Sequence, residues 1–349
     1  MTVPLELLEK AFFVAVDAAH PGKHLAAHLP DLPKGRLVVV GAGKAAATMA
    51  RAVEDYYPLE RLEGLVVTRY GHALPVQKLT VVEAAHPVPD AAGQRATERI
   101  LDLARGLSQD DMLLCLISGG GSALLTAPAG VTLAQKAELT QALLRSGADI
   151  AEMNTVRKHL SRVKGGNLAA AAAPARITAL ILSDVVGDDL SAIASGPTVP
   201  DETTFKDATE VLERYLVDAP AARAYLEAGK RGEVPETPKP GDMVFERVSN
   251  RLVGSAQGSV EAAARFFEAQ GVSAHILSSS VAGEAREAAR AHAAIVRQVA
   301  RYGQPFAKPC ALLSGGETTV TVRGSGRGGR NSEFALALAL ELNGLSGVH

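Results

Sequence analysis

Glycine-rich turns follow apolar, strand-like runs repeatedly in this chain, and that recurrence restricts its fold more than any other feature. Such turns stand at 41–43, 119–121, 315–316 and 324–329. The first two end the runs Arg36-Leu-Val-Val-Val and Met112-Leu-Leu-Cys-Leu-Ile117, which show no polar alternation. Strands of that kind are covered on both faces, as in a parallel sheet with helices above and below. Helical spacing resumes after the turns, so strand, turn and helix repeat as βα units. The expectation is an α/β chain with a parallel sheet, arranged as two β/α halves. Ligands of such sheets bind at the carboxyl ends of the strands, where these glycines lie.

Composition limits the alternatives. The chain has 349 residues, enough for two domains. Hydrophobic residues make up 47% of it and the net charge is −2, so a large core is expected and a nucleic-acid-binding face is not. Tryptophan is absent, which leaves the packing to alanine, leucine and valine. Cys115 and Cys310 lie far apart in apolar runs and read as buried free thiols. The N-terminus carries acids rather than a basic-then-apolar leader, and no apolar run approaches the roughly 20 residues that cross a bilayer. A cytoplasmic protein without a membrane partner is expected.

Spacing predicts helices over 5–19 (with Leu5, Leu8, Phe12 and Val16 packing), from 91, and over 133–146, 259–270, 282–302 and 334–342. Further strands are expected at 64–68, 79–83, 177–182, 251–254, 274–277 and 310–313. Residues 229–242 concentrate glycine, proline and charge and read as a linker, dividing the chain into domains 1–235 and 236–349, with strand 251–254 in the second. Between 153 and 166, Met153, Val156, Leu160 and Val163 form an apolar stripe, opposite a polar face of Asn154, Arg157, Ser161 and Lys164.

The chemistry-bearing stretches each have a plain alternative. Arg323-Gly-Ser-Gly-Arg327-Gly-Gly-Arg330-Asn331 combines bare amides, three arginines and a following helix start, all suited to a phosphate or carboxylate; a solvated surface hairpin is the alternative. Gly41-Ala-Gly43-Lys-Ala-Ala46 fits the dinucleotide fingerprint, yet the second strand ends in Thr68-Arg69-Tyr70 without the acid that holds a ribose. NAD therefore fits poorly, and NADP would depend on Arg69. Lys44 at a helix start opposes the helix dipole, which points to a negative ligand; a lysine reaching into solvent is the alternative. Asp184, Asp188 and Asp189 could hold Mg²⁺ or simply cap turns. Glu317 follows Ser314-Gly-Gly at a strand end and is a site candidate. His86, Lys158 and His159 read as loop or structural residues. The P-loop and G-x-S-x-G patterns are absent.

Taken together, Val38-Val-Val-Gly-Ala-Gly-Lys44-Ala, Leu116-Ile-Ser-Gly-Gly-Gly-Ser122-Ala-Leu, Asn154-Thr-Val-Arg-Lys-His-Leu-Ser161, Lys164-Gly-Gly166, Leu182-Ser-Asp184-Val-Val-Gly-Asp188-Asp189 and Ser195-Gly-Pro-Thr198 resemble the N-terminal domain of class II glycerate kinases (glycerate 2-kinases). Leu313-Ser-Gly-Gly-Glu317-Thr-Thr and Gly326-Arg-Gly-Gly-Arg330-Asn331-Ser-Glu333 resemble the MOFRL domain of the same proteins. The resemblance covers essentially the whole chain. It implies a Rossmann-like parallel-sheet large domain with a second, smaller α/β domain and a cleft between them, in a monomer or homodimer, and transfer of the γ-phosphoryl group of ATP, with Mg²⁺, to the 2-hydroxyl of D-glycerate. The family's key lysine and arginine fall on Lys44 and Arg330. Members usually continue beyond the helix at 334–342 with a Thr-Asp-Gly type motif, so part of the small domain is expected to be missing here. Members are also labelled hydroxypyruvate reductases, which makes an NADP-dependent reductase the alternative, with a non-catalytic sensor as a third reading.

On this reading Lys44 and Arg330 hold the transferred phosphate. Asp184 and Asp189 hold Mg²⁺ or accept the hydroxyl proton. Gly43, Ser118, Gly119, Gly120, Gly121 and Ser122, with Ser314, Gly315, Gly316 and Glu317, surround the phosphates, largely through N–H donors. Asn154, Arg157 and Lys164 grip a carboxylate or phosphate, and Arg327 and Asn331 accompany Arg330.

Overall fold

Residues 4–324 and 326–349 are described in a computed structural model. They fall into two compact units. The larger spans 21–183 and 189–253, and the smaller holds the N-terminal residues to 20, the short segment 184–188 and everything from 254.

The larger unit is built on β1 (Leu37–Ala42), β2 (Leu62–Arg69), β3 (Thr80–Ala84), β4 (Met112–Ser118), β5 (Arg176–Leu182) and β6 (Val248–Gly254), in the order β3-β2-β1-β4-β5-β6. β1 to β5 pair in parallel. This is the Rossmann order, with its reversal between β1 and β4. All residues of β1 and β4 are buried, as their unbroken apolar sequence requires. Leu37, Val39, Met49, Val53, Leu62, Val66, Leu114 and Leu116 form one core, joining the sheet to α2 (Ala46–Tyr56). Cys115 is buried and free; Cys310 is free and half-buried, not fully buried as its apolar neighbours suggested.

Helices follow their local signals. α3 (Ala91–Arg105) is capped by Asp90, whose carboxylate accepts from Gly93 N. α4 (Leu133–Ser146) and α5 (Ile150–His159) both begin in capping boxes, Thr132/Gln135 and Asp149/Glu152, which satisfy orphan amides reciprocally. With α6 (Phe205–Arg214) and α7 (Pro220–Lys230) they enclose a second core of Leu139, Leu143, Met153, Val156, Phe205, Leu212 and Leu226.

Two expectations fail here. The strand at 251–254 is the end of β6, and β6 flanks β5 in the large sheet, so the sheet runs well past residue 235. Its half-exposed residues gave no sign of that membership. The helix expected to carry one polar face to Lys164 stops at His159, because Lys136 Nζ from α4 takes the Leu160 carbonyl at 2.7 Å. Gly165 and Gly166 then turn the chain at φ +56° and +79°.

In the smaller unit β7 (Ser273–Glu284) and β8 (Cys310–Thr319) pair in parallel. α8 (Ala256–Ala269) packs on both strands and on α1 (Pro4–Ala18), and α10 (Arg330–Glu341) packs on α9 (Ala285–Tyr302). Leu5, Leu8, Phe12 and Val16 are exposed, whereas Ala11 is buried, so the packing face of α1 is not the stripe its spacing suggested. β7 runs three residues past the predicted start of α9, and α10 begins at Arg330, so Arg330 and Asn331 lie in its first turn. Among the described residues no helix is long and apolar enough to cross a membrane.

Candidate functional site

The glycine loops after β1 and β4 meet where the strand order reverses. A Cβ on Gly41 would lie 2.2 Å from Leu116 O, and one on Gly43, at φ +143°, would lie 2.1 Å from Ser118 Oγ. Only glycine lets these two turns touch. Their contact is hydrogen-bonded: Gly43 N donates to Val67 O at 3.0 Å, Lys44 N to Gly119 O at 2.8 Å and Ala46 N to Gly43 O at 3.1 Å. Ala45 N donates to Ser118 Oγ at 3.1 Å. The amides of 43–46, which a dinucleotide pyrophosphate would need, are therefore spent within the protein. Those of Gly119, Gly120, Gly121 and Ser122 differ: among the described residues they donate to no backbone carbonyl outside their own turn.

Lys44 is exposed above this junction. A Cβ on Gly120, at φ +82°, would lie 3.3 Å from Lys44 Cε and 3.1 Å from His86 Nε2. His86 thus stands beside the lysine, a placement its proline-rich sequence context did not signal.

A buried polar chain continues from this loop. Ser122 Oγ lies 3.1 Å from Ser195 Oγ, and Ser195 Oγ donates to Asn154 Oδ1 at 3.3 Å. Ala194 and Ser195 hold φ of +52° and +60°, strained for residues with a Cβ. Lys164 does not stand on the polar face of a helix, as spacing suggested. It is fully buried, and its ammonium donates to Ser122 O at 2.8 Å, Leu125 O at 3.0 Å and Ala194 O at 3.5 Å. It clamps the glycine turn to the strained 194–195 turn.

Burial, and then the charges of Lys136 and Arg157, push the Lys164 ammonium well below its ordinary pKa. Burial and Arg157 bring Lys136 to about 7. Arg157 itself is half-buried, and burial lowers its pKa. Among the described residues no carboxylate or hydrogen-bond acceptor reaches it. Three crowded basic groups, none ion-paired to a carboxylate among the described residues, make a place where a bound anion relieves repulsion.

The aspartates take the capping alternative in part. Asp189 accepts from Ser191 N at 2.8 Å and Ser191 Oγ at 3.0 Å. Asp184 is exposed shortly after β5. Among the described residues no group of three or more His, Cys, Asp or Glu side chains gathers as a metal cage. Mg²⁺ is commonly held by one or two carboxylates together with nucleotide phosphates and water, and this donor set fits that mode rather than a resident site.

In the smaller unit Arg330 is ion-paired with Glu317, so two predicted site residues neutralise each other. Ser314 Oγ lies 3.0 Å from His292 Nε2, whose ring also packs edge-on against Phe334. Gly316, at φ +151°, abuts Val281 O, which a Cβ would approach to 2.1 Å; Gly315 lies against Val260. Arg327 and Asn331 are exposed. Arg286 Nε donates to Glu333 Oε1 at 2.9 Å and ties α9 to the start of α10.

Comparison with known proteins gives these features a context. Residues 7–227 match the model of a domain of unknown function, DUF4147, and residues 310–349 match the MOFRL family. The chain is 42% identical to the D-glycerate 2-kinase of Thermotoga maritima over 99% of its own length and 80% of that protein's. It is 49% identical to a protein of Agrobacterium vitis named "Putative hydroxypyruvate reductase", over 98% of this chain and 77% of that one. Among solved structures it resembles the crystal structure of glycerate kinase from Thermotoga maritima with a TM-score of 0.87 and 40% identity, covering 98% of this chain and 81% of that one. Loops joined at a Rossmann switch point, a lysine above them and matches of this extent lead to one conclusion: the chain belongs to the glycerate 2-kinase family defined by the DUF4147 and MOFRL regions.

Proposed function

We propose that this protein is a D-glycerate 2-kinase, transferring the γ-phosphoryl group of ATP to the 2-hydroxyl of D-glycerate to give 2-phosphoglycerate and ADP. The observation that carries this reading is the match to a protein named D-glycerate 2-kinase along 99% of the chain. The geometry supports it: Lys44 stands over a turn whose amides at 119–122 are available to phosphate oxygens.

Phosphoryl transfer asks a protein for positioning and charge neutralisation more than covalent chemistry. The glycerate 2-oxygen forms a bond to the γ-phosphorus while the bond from that phosphorus to the β–γ bridging oxygen breaks, and ADP leaves. We assign Lys44 and Arg330 to the transferred phosphoryl group, and Asp184 to the proton of the 2-hydroxyl. Arg157, which no acceptor reaches among the described residues, suits the glycerate carboxylate. Bound with the ATP phosphates, Mg²⁺ supplies further charge neutralisation, and Asp184 and Asp189 are the carboxylates we assign to it. Lys164 acts through the backbone it clamps, and Glu317 as the partner of Arg330.

Phosphorus NMR after incubation with ATP, Mg²⁺ and D-glycerate tests the reading. The 2-phosphoglycerate and ADP signals are expected, and their absence at saturating substrates refutes it. The Agrobacterium vitis name favours a second reading, an NADP-dependent hydroxypyruvate reductase. Against it stand the spent amides of 43–46 and the arginine, not an acid, that ends β2. NADPH consumption with hydroxypyruvate would restore it.

A further inference from the structure

The larger unit contains a cavity of about 690 Å³ between α5 and the segments 189–203 and 240, and its lining is mixed rather than cationic. We propose that this cavity seats the nucleoside of the phosphoryl donor, an inference that rests on the kinase reading and adds to it where the base and ribose go.

Charge decides against the glycerate carboxylate. Lys158 lines the cavity, but its ammonium is paired with Asp201 Oδ1 at 3.2 Å. Asp189 and Glu202 line it as well, so the wall as a whole is negative. A glycerate carboxylate would be repelled there, while ribose hydroxyls donate readily to carboxylates. The volume lies within the range of small-molecule pockets and is far larger than a three-carbon acid requires. Ile150, Val199, Pro200 and Pro240 give apolar walls for a flat base.

Asn154 is 6% exposed and lines the cavity. Its Oδ1 is occupied by Ser195, and among the described residues its Nδ2 donates to nothing. An amide at the cavity wall can donate to a base nitrogen or carbonyl. Through Ser195 and Ser122, Asn154 is hydrogen-bonded to the 119–122 turn beside Lys44, so the cavity wall and that turn belong to one network.

Ala151 and Glu202 are exposed lining residues, so Ala151→Phe and Glu202→Trp fill the cavity without entering the core. Calorimetry with adenosine alone, and KM values for ATP and D-glycerate from ADP release, are the measurements, with unfolding midpoints as the check on folding. Adenosine binding to the natural chain is expected to weaken about tenfold or more in both variants, with a similar rise in KM for ATP and little change in KM for glycerate. If Ala151→Phe does not fold, Glu202→Trp alone decides. Undetectable adenosine binding to the natural chain, unchanged affinity in the folded variants, or a rise confined to the glycerate KM overturns the proposal. A cavity that loses adenosine on filling, in a chain that makes no ADP from ATP and glycerate, keeps the nucleoside seat and removes the kinase reading instead.

Discussion

Replacing Gly43 with alanine should damage the protein at the junction of the two loops, and the structure allows the cost to be worked out. At φ +143° an alanine is held in backbone space that L-residues avoid, a strain of about 1–3 kcal/mol. Its Cβ would also lie 2.1 Å from Ser118 Oγ and 2.5 Å from Ser118 O. Overpacking of that kind adds about 1–3 kcal/mol, so a total loss of about 2–6 kcal/mol is expected. Gly71 supplies the control, since it also has positive φ (+76°) but nothing within 4 Å of its Cβ position. Gly71→Ala should therefore show the backbone term alone, about 1–2 kcal/mol.

Urea unfolding at equilibrium measures both variants, with an unchanged slope identifying a true stability loss. Because Lys44 follows directly, a folded Gly43→Ala protein should also lose ATP-dependent turnover by about tenfold or more, as misplaced catalytic groups do. Adding Ser118→Ala should rescue stability only in part. It removes the 2.1 Å clash but leaves the one at 2.5 Å, and it strips Ala45 N of its acceptor. A Gly43→Ala loss no larger than that of Gly71→Ala would show that the loops are not in contact and refute the reasoning.

Lys44→Ala should lower kcat about a hundredfold or more with an unchanged unfolding midpoint; an unaltered kcat removes Lys44 from the site. Lys136, held near 7 when folded, gives the stability curve a predictable slope. The unfolded chain keeps the lysine proton to about pH 10 while the folded one releases it near 7, so stability should rise with pH across that window by about 3–5 kcal/mol. Lys136→Met should flatten the rise, and an identical pH profile in the variant counts against this assignment. Asp111 tests the acid side: burial pushes it up, but the N–H groups of Ser108 and Arg36, at 2.8 and 2.6 Å, prevail and hold it at about 2. Its stabilisation is present above about pH 4 and fades as pH falls towards 2, so Asp111→Asn should cost about 2 kcal/mol at neutral pH and reduce the loss on acidification, measured by urea midpoints.

What the sequence made legible, and what it did not, follows from the range of the forces involved. β1 and β4 were readable because burial on both faces demands an unbroken apolar run, a property of six or seven adjacent residues. The capping boxes at Thr132 and Asp149 satisfy their own helix ends and involve partners three residues away. α5 ends for a different reason: a lysine 24 residues earlier in the chain donates to Leu160 O, and no local pattern encodes that donor. The same holds for Lys164. Three-and-four spacing placed it on a polar helix face, whereas three carbonyls from two distant segments draw its ammonium into the interior, at a desolvation cost that those hydrogen bonds offset. His86 was hidden similarly, since its position beside Lys44 depends on β3 ending level with the loop after β4. The glycines mark the difference most clearly. Their presence at 41, 43 and 120 was visible at once and pointed to ligand amides, yet Gly41 and Gly43 are required first because two backbones touch, and of the two loops it is the turn at 119–122 that keeps amides to offer among the described residues. Glycine spacing therefore locates a junction at the sheet edge, and the hydrogen-bond accounting of each amide decides which side of that junction faces a phosphate.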